Sequence, residues 1–372
     1  MFTTMRIACA MFSGYLATAA IAQDLGKWTR KADLVPLRAE HGTACIGAKV
    51  YMAGGFDNNY QPKADLYSYD LEKDIWSAGP ALPVALHHIG MVAYGGKAYV
   101  FGGVTHGIDN NPWNGSRYVF AYDPVAAKWT ALKPLPFATA AAGVAVHGTK
   151  IYVFGGADTT AKDQNRTQEY DPATDTWRQL ASMPTVREHC AAATLDSLIY
   201  VVGGRINDNP SLDPGPVEAY NPATDTWKTF AKMATPRSDL VVVAARGKLY
   251  AMGGEKPADY YPQNEEFDPA TGQWRALAPL VPARKAFSGV AYDGVIWIFG
   301  GDAEPDPVGN RPRGFTHSTQ AFAPPGWVTV VLPKVRARSA RGAFPFPILL
   351  GRKAPFTGRG ISLPGSAGYS SR

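Results

Sequence analysis

The chain has 372 residues, 46% of them apolar and 18% charged, with 38 glycines, 30 prolines and a formal charge of +6. That length and apolar content suit one large folded unit and exclude a wholly disordered chain. The positive charge does not mark a nucleic-acid surface, because all of it follows Val331. Lys334, Arg336, Arg338, Arg341, Arg352, Lys353, Arg359 and Arg372 stand there without an acid, and residues 1–330 without them carry −2. No basic face is left to track a phosphate backbone.

The first segment reads as an export signal. Arg6 precedes an apolar stretch from Ile7 to about Ala17, and Ala20-Ile21-Ala22 gives small-x-small before Gln23. This predicts a signal peptide over 1–22, cleaved after Ala22, and a periplasmic or secreted protein. The apolar core is too short to span a membrane. Of the cysteines, only Cys45 and Cys190 would remain, on inner strands of different repeats, where each reads as a small apolar side chain.

Next comes Trp28, in WTRKADLVPLR, which matches the exit of later outer strands such as WRQLASMPTVR from Trp177. It reads as an outer strand whose partners lie elsewhere in the chain. Six units follow. Each has an apolar run ending in a glycine pair: Gly54-Gly55, Gly102-Gly103, Gly155-Gly156, Gly203-Gly204, Gly253-Gly254 and Gly300-Gly301. A period of roughly fifty residues is that of a propeller built from repeated blades. Runs such as KVYMAGG and KIYVFGG fit buried strands, and the glycines permit dihedrals and close approaches that a Cβ would forbid. Five units then pair an aromatic residue with a tryptophan: Tyr69/Trp76, Tyr122/Trp129, Tyr170/Trp177, Tyr220/Trp227 and Phe267/Trp274. Between them, sequences such as DPATDT carry Asp, Pro and Thr suited to a hairpin turn. Each unit is therefore a four-stranded antiparallel blade.

The Gly-Gly doublet followed by Tyr and Trp resembles the kelch repeat, over about residues 26 to 333. The resemblance implies an all-β kelch β-propeller with six well-formed blades, closed by the N-terminal strand, over residues 23–333. Residues 334–372 form either a basic atypical tail or a degenerate seventh blade, with ILLGR from Ile348 near the place of a Gly-Gly strand. Kelch propellers serve as protein-interaction platforms, as sugar-oxidising domains and as secreted sugar mutarotases. The likeness to the copper-radical galactose oxidases stops at the propeller, because the crosslinked Tyr–Cys and paired His of that chemistry match nothing here.

Aligned on their second strands, the units place Arg38, Arg187, Arg237 and Arg284 at one register. Two residues on come Glu40, His88, His189 and Asp239, with Ala141 and Ala286 in the other two units. Alternation along a strand puts i and i+2 on one face, so both sets are expected at the channel entrance. The arginines are candidates to bind an anionic ligand, and the other four to transfer protons. The arginines equally suit knitting blades together. The loop after Gly103 adds His106 and Trp113, and Tyr60, Tyr260 and Tyr261 are further rim contacts. No His-x-x-x-His or Cys/His cluster appears, so neither a metal nor another cofactor is expected. The favoured reading is a monomeric binding module whose rim loops recognise a protein or glycan. The alternative is an enzyme acting on an anionic sugar, similar to sialic acid mutarotases, with Glu40, His88, His189 or Asp239 catalysing ring opening.

Overall fold

The computed structural model describes residues 24–34, 36–106, 114–207, 209, 216–256, 259–304 and 314–326. The expected signal peptide, Trp113, Trp327 and the tail with its degenerate seventh blade lie outside the described residues. What is described is strand, turn and loop, arranged as six four-stranded antiparallel sheets with a short three-stranded sheet at the rim. The innermost strands are Gly42–Ile46, Gly90–Tyr94, Gly143–His147, Ala191–Leu195, Val241–Ala245 and Ser288–Tyr292, and they define blades one to six. Each packs against the next, and that of blade six also meets that of blade one.

The second strand of each blade is buried on both faces, which is why it reads as an unbroken apolar run. In Lys49–Ala53 everything after the lysine is buried. Aromatic rings carry the packing from blade to blade, as in Tyr51 against Tyr122 at 5.5 Å and Tyr99 against Tyr170 at 6.4 Å between centroids. At the periphery each Trp Nε1 donates to a carbonyl of the preceding blade's exit. Examples are Trp129 to Pro80 at 2.8 Å and Trp227 to Ala181 at 2.9 Å.

Trp28 occupies the outer strand of blade six. Lys27–Lys31 pairs antiparallel with Thr319–Ala323, with Trp28 opposite Phe322, and its Nε1 donates to Ala278 O at 2.9 Å. The first described strand and the last thus share one sheet.

A ring of backbone hydrogen bonds fixes the mouth of the channel. The second glycine of each pair donates to a carbonyl in the next blade: Gly55 to Leu86, Gly103 to Thr139, Gly156 to Arg187, Gly204 to Arg237, Gly254 to Arg284 and Gly301 to Arg38. The last bond returns to blade one. Both glycines have positive φ, and a Cβ on Gly54 would lie 2.5 Å from Leu86 O. Only glycine tolerates that approach in that backbone conformation.

Candidate active site at the channel mouth

The register that begins with Glu40 forms a second ring. Glu40, His88, Ala141, His189, Asp239 and Ala286 all have φ between 49° and 57°. Successive blades are bonded through them: Glu40 N–H to Ala286 O, His88 to Glu40, Ala141 to His88, His189 to Ala141 and Asp239 to His189. Left-handed backbone at a non-glycine residue is uncommon and often marks a functional site. Here the two alanines share it, so the conformation belongs to the repeat, and the chemistry comes from the four polar side chains.

That backbone turn also breaks strand alternation. The arginines two residues earlier do not face the channel with Glu40 and its equivalents, as alternation would require. They are buried to 0–2% exposure and hold the blades together. Arg187 pairs with Glu218 at 3.0 Å and donates to Gly203 O at 3.0 Å. Arg237 pairs with Glu265 and donates to Gly253 O at 2.6 Å, Arg38 pairs with Asp65, and Arg284 donates to Gly300 O at 3.3 Å. None of the four lines the cavity at the mouth. Nor do His87 and His88 point to opposite faces, as neighbours on a regular strand would; their Nδ1 atoms are in contact.

Glu40, His88, His189 and Asp239 are brought together in a cavity of about 320 Å³. Its other walls include Arg205, Lys285, Asp302, Tyr260, Phe56, Tyr60 and Phe315, with Phe315 paired across from Asp302. Two registers supply the residues that sequence reasoning missed. The position after each Gly-Gly holds Phe56, Val104, Ala157, Arg205, Glu255 and Asp302. The position before each left-handed residue holds Ala39, His87, Ala140, Glu188, Ser238 and Lys285. Short antiparallel bridges pair these positions blade by blade, as in Glu188 with Arg205 and Ser238 with Glu255, and in blade six Lys285 pairs with Asp302. At these positions blades one to three thus give apolar side chains apart from His87, and blades four to six give charged ones apart from Ser238.

The charged half is a continuous network. Arg205 bridges Glu188 and Glu255; Glu255 also accepts from Lys285 Nζ at 2.6 Å and Ser238 Oγ at 3.1 Å; Lys285 Nζ lies 4.0 Å from Asp239. Burial works against the Glu255 carboxylate, yet Arg205 and Lys285 hold it below the usual range. Lys285 is likewise held above its ordinary range despite burial, by Asp239 and Glu255. Tyr260 donates its hydroxyl to Asp302 and lies under Lys285 Nζ, 5.6 Å from the ring centroid.

At the centre, burial raises Glu40 to about 7, with Lys285 opposing and Glu255 reinforcing the shift. Burial and the neighbouring Glu40 and Glu255 raise Asp239 well above the carboxylate range. The histidines move the other way. Burial, then Arg205, hold His88 and His189 neutral. Their tautomers follow from their partners. His87 Nε2 donates to His106 O at 2.8 Å, so His87 Nδ1 is the acceptor for His88 Nδ1–H. Glu188, itself paired with Arg205, accepts from His189 Nδ1–H. Both histidines therefore carry their lone pair on Nε2, and these atoms lie 3.1 Å (His88) and 4.0 Å (His189) from Glu40 Oε1. His106 contributes its backbone carbonyl behind His87 and does not line the cavity.

Comparison with known proteins agrees with this architecture. A family model described as the Attractin/LZTR1 beta-propeller matches residues 50–301, more than half of the chain. The chain belongs to that family of kelch-type β-propellers. Beta-scruin of Limulus polyphemus is 30% identical over 141 residues, 38% of this chain and 15% of that protein. Kelch-like protein 25 of Xenopus laevis is 33% identical over 129 residues, 34% of this chain and 22% of that protein. Each match spans less than a quarter of the relative. The solved structure of YjhT superposes with a TM-score of 0.64 at 16% identity, covering 76% of this chain and 95% of that one, which is a likeness of fold. Propellers of this type are commonly protein-interaction modules. Among the described residues, no helix is long and apolar enough to cross a membrane.

Proposed function

We propose that the channel mouth binds a small acidic sugar and catalyses its ring opening by proton transfer. The observation that carries this reading is the Glu40 carboxyl, raised by burial to about 7, beside Nε2 of His88 and His189 inside a monosaccharide-sized cavity. A carboxyl with a pKa near 7 gives and takes a proton at neutral pH with little bias either way. Glu40 donates its proton to the ring oxygen while His189 Nε2 removes the proton from the anomeric hydroxyl. The bond between the anomeric carbon and the ring oxygen breaks, the carbonyl forms, and closure on the other face reverses both transfers. Lys285 and Arg205 supply positive charge for the sugar carboxylate, and Phe56, Tyr60 and Phe315 offer faces for its apolar side. The rim cations in this role are not the four repeat arginines, which are committed to the blades.

The Met1–Ala22 pattern supports export of the protein. Recognition of a protein or glycan by the rim loops is the second reading, favoured by the common use of this fold. Thermal unfolding against neutral and acidic sugars separates the two. Binding to the folded state alone raises stability by about 2.7 kcal/mol at a hundredfold excess over Kd. An upward shift with sialic acid that is lost in Lys285→Ala supports the proposal, and a flat response across the panel refutes it.

A further inference from the structure

Glu40, His88 and His189 come from blades one, two and four, and one donor atom of each lies within 4.8 Å of the other two. We propose that these three side chains form a binding site for one divalent transition-metal ion of the zinc class at the mouth of the channel. The reading shares its residues with the proposed function and does not depend on the sugar.

Two features of the geometry carry it. First, both imidazoles present Nε2 because Nδ1 is engaged behind them, His88 with His87 and His189 with Glu188. A carboxylate or another acceptor behind a histidine is the usual outer support of a metal ligand, fixing its tautomer and raising its basicity. Second, the separations suit an ion. Tetrahedral zinc with bonds of about 2.0–2.1 Å needs donors roughly 3.3 Å apart. His88 Nε2 and Glu40 Oε1 are at 3.1 Å, His189 Nε2 and Glu40 Oε1 at 4.0 Å, and no pair exceeds 4.8 Å, so rotation of His189 toward Glu40 completes the set. The cavity leaves the remaining coordination position to water or substrate. Two nitrogen donors and one carboxylate select zinc, cobalt, nickel or copper over magnesium and calcium, which take oxygen.

The test is titration of the full chain, stripped of metal with a chelator, by zinc chloride in a calorimeter, and by cobalt chloride with visible absorption. The expected result is one ion per chain at Kd of micromolar or below, with cobalt bands of a four- or five-coordinate nitrogen–oxygen site. His189→Gln should weaken binding at least a hundredfold, and Glu188→Gln, which does not touch the ion, tenfold to a hundredfold. Circular dichroism establishes that both variants are folded. Should either perturb the fold, His88→Gln provides the same comparison. Zinc uptake that is equal in wild type and the folded variants, or absent from wild type, overturns the site. Because the zinc ion and the Glu40 proton occupy one place, zinc should also slow the proposed ring opening. Zinc binding without sugar turnover leaves this inference standing and removes the function; turnover that is indifferent to zinc, with no zinc bound, does the reverse.

Discussion

Replacing Glu40 with glutamine tests the electrostatics of the channel mouth through stability alone. In the folded protein this carboxyl has a pKa of about 7 against an ordinary value of 4.5, because burial penalises its anion. The folded state therefore keeps a proton that the unfolded state has released across that interval. The contribution is complete below about pH 4.5 and is lost as the pH rises through 7. At 1.36 kcal/mol per tenfold change, the wild type loses about 3 kcal/mol by pH 8. Glutamine has no proton to lose and nearly the shape of the protonated carboxyl. Glu40→Gln should match wild type near pH 4.5 and exceed it by about 3 kcal/mol at pH 8, roughly 5 °C in Tm for a chain of this size. Chemical denaturation at a series of pH values reads the difference directly. Parallel stability curves for the two proteins would show that Glu40 is an ordinary solvated carboxylate, and a variant weaker than wild type at pH 8 would show that the fold favours its anion; either result refutes the reasoning.

Other consequences concern the scaffold. Arg237→Ala strands the buried Glu265 carboxylate and three backbone carbonyls, and should cost about 3–5 kcal/mol by urea denaturation; a loss below 1 kcal/mol would return this arginine to the list of ligand contacts. Gly204→Ala puts a Cβ 2.7 Å from Glu188 O at φ +103°, and should destabilise by about 3 kcal/mol. Gly247→Ala, with φ +72° and nothing within 4 Å, should cost only about 1 kcal/mol in the same measurement. Trp227→Phe removes the 2.9 Å bond to Ala181 O and should lower stability by about 1 kcal/mol, with the far-UV spectrum unchanged.

The scaffold was legible because each blade repeats the same physical requirements. The glycine pairs mark the inter-blade hydrogen-bond ring, the Tyr and Trp positions mark the outer hairpin, and the surplus Trp28 marks a strand that joins another blade. The polar ring at Glu40, His88, His189 and Asp239 was legible for the same reason, since units in register on a propeller share a radius. Its arginine neighbours were misplaced by an assumption of regular strand alternation. The left-handed backbone at His88 and its equivalents turns the chain, tucking Arg187 and Arg237 into their blades. Arg205 and Lys285 were missed because they stand at positions held by Phe56, Val104, Ala39 or Ala140 in other units, where no repeat signature marks them. The convergence of Glu40, His88 and His189 was invisible to motif spacing, because the three residues lie on three blades.

The rate of anomer exchange of sialic acid reads the acid–base chemistry of the channel mouth itself. Exchange-resolved NMR at pH 7 should show wild-type protein accelerating interconversion well above the spontaneous rate. That acceleration should fall at least a hundredfold in Glu40→Gln and in His189→Ala, while Arg237→Lys retains it. Exchange at the spontaneous rate with wild type, or acceleration that survives loss of Glu40, His88, His189 and Asp239 together, would contradict it.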